Sequence, residues 1–478
     1  MDGESRLGAA APDSVRHGVT AVQMYPLPPG TSVDDDGHLW IGGCDGVELV
    51  QQYGTPLYVF NEDTVRVRCR AWVEAFASYE PGATVAYAAK AFLTRAMAAI
   101  VASEGLHLDI VSGGELYIAL TAGFPAQRML FHGNNKSLAE IEMAVDAGVA
   151  RFVVDNFNEL ELLERVTARK NAVQGVLLRV APGLEAHTHA YIQTGAQDSK
   201  FGFDLESGQA LEAARRCSQS QHLHLLGLHA HVGSQLLDVT VIPPLVERLL
   251  DLAVAVAEAT GVAVRELNIG GGAGIRYRSE QALDPAVVAR AATTAVCTGC
   301  ERRRFPLPRL GVEPGRSIVG EAAVALYTVG SEKRVPGMVP YVAVDGGMGD
   351  NIRPALYGAA YAVVAAGRMH DPCTERVHIV GRFCESGDFL AREVLLPRLG
   401  PGDVVAVYSA GAYQYPMASN YNAVPRPCVL LVRGDSVSVM VKRESYEDLL
   451  ARDVLPAYLM TERIRPAGGQ LAAPWSEG

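Results

Sequence analysis

At 478 residues, with 49% hydrophobic and 20% charged side chains, the chain is too long for one ordinary domain and has enough apolar material for two or three. Its net charge of −11 includes no Lys/Arg block, which argues against a nucleic-acid or anionic-membrane partner. The eight cysteines are irregularly spaced, so no disulfide framework is expected. Cys297 and Cys300 form a CxxC with no second pair at zinc spacing, and no metal site is expected.

Residues 1–18 are polar and small and lack the apolar run of a secretory signal; a disordered extension over residues 1–36 and a cytoplasmic protein are expected. Residues 37–61 ("HLWIGGCDGVELVQQYGTPLYVF" from His38) are expected to lend strands to a later β domain. Between 62 and 328 a short apolar strand followed by a helical-period segment recurs. The strands are read at 84–90, 106–112, 129–134, 151–156, 175–180, 225–233, 266–272 and 309–316. Helices such as "SLAEIEMAVDAG" and "NELELLERVTARK" repeat apolar residues at i, i+3 and i+4. The most apolar helix, from Leu249, carries Asp251 and Glu258 and is too short to span a bilayer. Eight such units predict an α/β fold of the (β/α)8 TIM-barrel type. A doubly wound sheet would place its Gly-rich turn after the first strand, whereas Gly270–Gly272 follows the seventh. From 329 to 478 the runs "YVAVDGG", "RVHIVGRFC", "DVVAVYSAG", "PCVLLVRGD" and "SVSVMVKRE" predict a mostly-β domain.

Functional residues of a barrel gather at the C-terminal ends of its strands. Strand one ends on Lys90; strand two on Asp109, Ser112 and Gly113; strand six on His229, His231 and Ser234. Strand seven ends on Gly270, Gly271 and Gly272, and strand eight on Glu313 and Arg316. Each has an ordinary reading alone: a solvated lysine, a turn, a core histidine, a salt bridge. Together at one mouth they meet the needs of pyridoxal phosphate (PLP). A desolvated lysine can form a Schiff base, and a glycine turn admits a phosphate. A carboxylate can keep a pyridine nitrogen protonated, and an imidazole can stack on the ring.

Ten motifs in order across about residues 50–450 carry a family resemblance: "YAAKAF" (87–92), "VSGGEL" (111–116), "HGNNKS" (132–137), "HTHAYIQTGAQDSKFGF" (187–203), "HAHVGSQ" (229–235), "NIGGGAGI" (268–275), "EPGRS" (313–317), "DGGMGDNIRPALYGA" (345–359), "CESGDFL" (384–390) and "GAYQYPMASNYN" (411–422). The chain resembles the PLP-dependent decarboxylases of the alanine-racemase-like barrel class, and within them the members acting on diaminopimelate. The resemblance implies that Lys90 carries PLP and His231 stacks on its ring. Ser234 and Gly270–Gly272, with Arg316 and Tyr413, would hold the phosphate, and Glu313 would face the ring nitrogen. Cys384 would be the proton donor, while Arg316, Arg353, Tyr357, Glu385 and Tyr413 would hold substrate. It further implies a homodimer in which Cys384 and Glu385 act in the partner's site, and conversion of meso-2,6-diaminopimelate to L-lysine and CO2. Arg316 and Arg353, with Tyr357, would clamp a distal carboxylate, and Glu385 would take the distal ammonium. Phe92, Arg382, Gln414 and Pro416 depart from the family's usual residues. Decarboxylation of another or a carrier-tethered amino acid, and a PLP-binding relative without turnover, stay open at this point.

Overall fold

The computed structural model describes residues 18–184 and 200–459. The eight barrel strands are Ala83–Ala88, His107–Ile110, Met129–Phe131, Arg151–Val154, Gln174–Ala181, Leu223–His229, Glu266–Asn268 and Arg309–Val312. They lie parallel in chain order, and the eighth pairs back onto the first through Leu310 and Ala83, which closes the barrel. Alternation along the strands divides their side chains. Ala86, Leu130, Val153 and Leu177 fill the lumen with Leu226, while Val85 and Tyr87 turn outward into the core beneath the helices. A further short strand, Phe203–Asp204, pairs with the fifth outside the closed path.

The sixth and seventh strands stop earlier than their apolar runs, at His229 and Asn268. Gly270 leaves extended conformation with φ +70°, so the residues that follow form loops at the mouth. The helices begin where their capping residues stand. Ser137 and Glu140 form a reciprocal capping box at Leu138–Ala147, and Asn156 Oδ1 accepts the Glu159 N–H at Phe157–Arg169. Cys297 and Cys300 lie on the helix Pro285–Arg303, one exposed and one buried, and both are free thiols. Among the described residues no helix is long and apolar enough to cross a membrane.

The second domain is organised by the strand Ala323–Lys333, so the barrel boundary expected at residue 328 falls inside a strand of the β sheet. The apolar run follows the last barrel helix with only the turn Gly320–Ala322 between them, which hides the junction in the sequence. Leu57–Asn61 pairs antiparallel with this strand and parallel with Cys428–Arg433. Two strands absent from the sequence reading, Val363–Ala365 and Phe389–Leu396, complete the layer. Of residues 37–61, Leu39–Ile41 and Cys44–Asp45 instead form a small separate sheet with Thr31–Val33. Residues 18–36, expected to be disordered, are therefore structured; Ala21 and Tyr25 are buried, and Met24 and Leu27 pack beside them on the second core. Residues 1–17 of that expected extension lie outside the described residues.

Candidate active site

The loops at the C-terminal ends of the strands surround a cavity of about 480 Å³. Lys90, His231, Ser234, Gly271, Gly272, Glu313 and Arg316 reach it from the barrel, and Arg353, Tyr357 and Tyr413 from the β domain. Tyr413 brings the two domains together: its N–H donates to Ala91 O at 2.9 Å, beside Lys90. It holds φ +62°, a conformation that costs a tyrosine on the order of 1 kcal/mol and persists only where its surroundings enforce it.

Lys90 Nζ stands 3.0 Å from Asp109 Oδ2, with the lysine side chain 43% exposed to the cavity and the aspartate buried. Burial opposes the ammonium charge, but Asp109, followed by Tyr413 and Glu313, outweighs it and holds the lysine pKa above its ordinary value. Glu313 is 5% exposed. Its Oε1 accepts from Asn268 Nδ2 at 2.8 Å and faces His132 Nε2 at 3.0 Å, and its Oε2 faces His229 Nε2 at 3.1 Å. Burial alone would favour the neutral acid; the imidazoles of His132 and His229 override it and keep Glu313 well below the usual carboxylate range. Burial, reinforced by Lys90 and Arg179, pushes His231 well below its usual pKa. Its Nδ1 accepts the Gly271 N–H at 3.2 Å, which leaves a neutral ring with the proton on Nε2.

Two buried arginines define the other side. Arg316 Nη2 donates to Ser234 Oγ at 2.8 Å and its Nη1 donates to Tyr277 OH. Arg353 Nε donates to Tyr361 OH at 2.9 Å. The Tyr277 and Tyr361 rings meet edge-on at 5.1 Å, and Tyr413 lies under both guanidinium groups, 4.8 Å from Arg316 and 5.6 Å from Arg353.

The residues present fit a phosphorylated aldehyde cofactor. An amine faces the cavity, and a carboxylate held ionised stands on its wall. Ser234 and Arg316 add a hydroxyl and a cation beside backbone that no side chain covers. A Cβ on Gly271 would come within 2.1 Å of Glu313 O, and one on Gly272 (φ +113°) within 2.4 Å of Gly233 O, so glycine is required at both.

A family model described as the pyridoxal-binding domain of pyridoxal-dependent decarboxylases matches residues 62–320. Diaminopimelate decarboxylase of Bacillus subtilis (strain 168) is 47% identical over 427 residues, 89% of this chain and 97% of that protein. The chain belongs to the diaminopimelate decarboxylases. The enzyme of that name from Synechocystis sp. (strain PCC 6803) is 42% identical over 447 residues, 91% of this chain and 94% of its own. Among solved structures, diaminopimelate decarboxylase from M. jannaschii superposes with a TM-score of 0.84 at 34% identity, covering 90% of this chain and 99% of that one. The Helicobacter pylori enzyme complexed with L-lysine does so at 0.77 and 32%, covering 84% and 98%.

One residue expected to hold the phosphate does not line the cavity. Gly270 lies behind the cavity; its N–H is committed to Asn268 Oδ1 at 2.8 Å and its carbonyl accepts from Glu313 N–H at 2.9 Å, so it has no donor left for a phosphate. Cys384 and Glu385 are exposed on the β domain and do not line this chain's own cavity. Cys384 N–H donates to Asn422 Oδ1 at 3.0 Å, and Glu385 Oε1 accepts from Tyr421 OH at 2.5 Å. Most of the motif at 187–203 lies outside the described residues. The structure adds His132, Asn268, Arg179, Tyr277 and Tyr361 to the site's surroundings. Arg179 carried a visible signal, a cation inside the otherwise apolar run "GVLLRV". The tyrosines carried none.

Proposed function

We propose that the cavity decarboxylates meso-2,6-diaminopimelate to L-lysine and CO2, the last step of lysine biosynthesis, with pyridoxal 5′-phosphate as its cofactor. The observation that carries this reading is the joint placement of Lys90, Glu313, Ser234–Arg316 and Arg353 around one cavity. When bound, the cofactor supplies an aldehyde for the substrate amine and a protonated ring that accepts the electrons released as the carboxylate departs. Lys90 presents the amine that anchors it, and Asp109 aims that amine. Glu313, kept ionised by its imidazole neighbours, would hold the proton on the ring nitrogen. The neutral His231 ring would cover one face, and Ser234, Arg316 and the Gly271–Gly272 backbone would receive the phosphate. Arg353, oriented by Tyr361 and flanked by Tyr357 and Tyr413, receives a substrate carboxylate. A substrate lacking that group leaves a buried guanidinium unpaired, which costs several kcal/mol, so diamines' precursors without a second carboxylate are rejected.

The proton that replaces CO2 at Cα comes, in this reading, from the Cys384 thiol of a second copy, with Glu385 beside it to take the distal ammonium. The outward position of both residues supports a homodimer with shared sites. So does the exposed apolar surface of the same domain, where Tyr446 is 68%, Val454 79% and Tyr458 82% exposed. We place the enzyme in the cytoplasm, where its free thiols stay reduced. Mass-spectrometric product analysis of the PLP-loaded protein tests the function. The panel is meso-diaminopimelate, its LL isomer, lysine, ornithine, arginine and glutamate. L-Lysine from the meso compound alone is expected. Turnover of a different amino acid would keep the chemistry and overturn the substrate.

A further inference from the structure

His132 belongs to the motif "HGNNKS", to which neither the cofactor nor the substrate reading gives a part. It follows the third barrel strand, is 4% exposed, and is anchored by its N–H on Ile110 O at 2.7 Å. Its Nε2 faces two carboxylates at once, Glu313 Oε1 at 3.0 Å and Asp109 Oδ1 at 3.6 Å, and is aligned for a hydrogen bond to neither. The other groups on Glu313 differ in this respect, since Asn268 donates to Glu313 Oε1 and His229 faces Oε2. His229 meets the His132 ring edge-on at 4.8 Å and braces it.

We propose that His132 is a positioning residue of the cofactor site, a shared hydrogen-bond donor that ties the carboxylate aiming Lys90 to the carboxylate facing the cofactor's ring nitrogen. The inference rests on the PLP reading above. Asp109 shows why the tie is needed. It is buried, its Oδ2 bonds Lys90, and its Oδ1 has no hydrogen-bond partner at ordinary distance. With the Lys90 amine bound to a cofactor aldehyde, Asp109 would lose the ammonium that now compensates it. His132 Nε2, 3.6 Å from the orphaned oxygen, would then be a donor available to it. With Lys90 free, as here, the imidazole stands nearer to Glu313 than to Asp109. His132, His229 and Glu313 also have the chemistry of a metal-binding trio. The amide N–H that Asn268 places on the same Glu313 oxygen favours a hydrogen-bonded cluster instead.

The test compares His132→Leu, which removes the donor, with His132→Gln, whose amide carries an N–H to about the same reach. PLP dissociation, the absorbance band of the bound cofactor, kcat and KM are measured on the full-length protein, with melting temperature as a control. His132→Leu is expected to weaken PLP binding and lower kcat by about 10–100-fold with KM nearly unchanged, and to shift the band. His132→Gln should restore most of both. Wild-type PLP affinity and kcat in the Leu variant, or equal loss in the Leu and Gln variants, would overturn the proposal. Should the Leu variant not fold, His132→Asn, too short to reach Glu313, replaces it, and equal behaviour of Asn and Gln would overturn it likewise. Glu313→Gln separates the two levels of the argument. It must itself weaken cofactor binding; if it does not, the cofactor reading fails first and takes His132 with it.

Discussion

The barrel mouth and the loop carrying Cys384 belong to one chain and are built in opposite ways. At the mouth, charges are buried and answered: Glu313 by imidazoles and an amide, Arg316 by Ser234 and Tyr277, Arg353 by Tyr361. In the loop, Cys384 and Glu385 face outward; the Cys384 backbone N–H donates to Asn422 Oδ1, and the Glu385 carboxylate accepts from Tyr421 OH. The loop is nevertheless anchored at its base. Asp388 is buried and accepts the N–H groups of Met348 at 2.7 Å and Phe383 at 2.8 Å. A fixed base under an outward tip is what a residue delivered to another molecule requires, because ordering the tip costs little when the complex forms. Under the proposed function, one chain would hold the cofactor by itself and would need a second to finish the reaction.

Substitutions at the two regions should separate cleanly. The largest effect is expected from Lys90→Ala, which should lose the cofactor absorbance band and turnover by about 10⁴-fold or more. Cys384→Ala should keep the band yet lose about 10²–10⁴-fold in kcat, as removal of a proton donor does. Mixing these two inactive variants sharpens the contrast. Random pairing in a twofold dimer restores one intact site in half of the molecules, about a quarter of wild-type activity. No recovery on mixing would break the idea of a shared site. Gly272→Ala should weaken PLP binding about tenfold, read by equilibrium dialysis, since the new Cβ meets Gly233 O and the backbone must abandon φ +113°. Tyr361→Phe should raise KM about fivefold, measured by steady-state kinetics, with PLP affinity unchanged. Tyr421→Phe, at an exposed hydrogen bond to Glu385, should change KM by about twofold or less.

Much of this was legible beforehand because barrels write themselves locally. Each strand is a short apolar run closed by a polar or glycine residue, and caps such as Ser137 and Asn156 mark the helix starts. What escaped depends on closure and on returns of the chain. His132 and Glu313 come from the third and eighth strand ends and meet only across the finished mouth. Tyr361 reaches Arg353 because the helix Arg353–Tyr357 ends at Gly358 in left-handed conformation and the chain doubles back. The ordered segment after residue 18 was missed because its apolar side chains are scattered; nothing in their spacing shows that Ala21, Met24, Tyr25 and Leu27 share one buried face. Asn268 bonding to the Gly270 N–H likewise removed a donor that the triplet alone suggested.

The strand Leu57–Asn61 has a consequence for the birth of the molecule. It emerges from the ribosome before any of the barrel, is buried along its whole length in the finished fold, and lies between Ala323–Lys333 and Cys428–Arg433. Both partners are made after the barrel strands, so throughout synthesis of the barrel an apolar strand with two unpaired edges waits for them. Slow maturation and dependence on chaperones during translation would then be inherited from this threading rather than from the active site, and a circular permutant opening the chain just before Glu62, so that Leu57–Asn61 is made after Cys428–Arg433, should mature faster with the same chemistry.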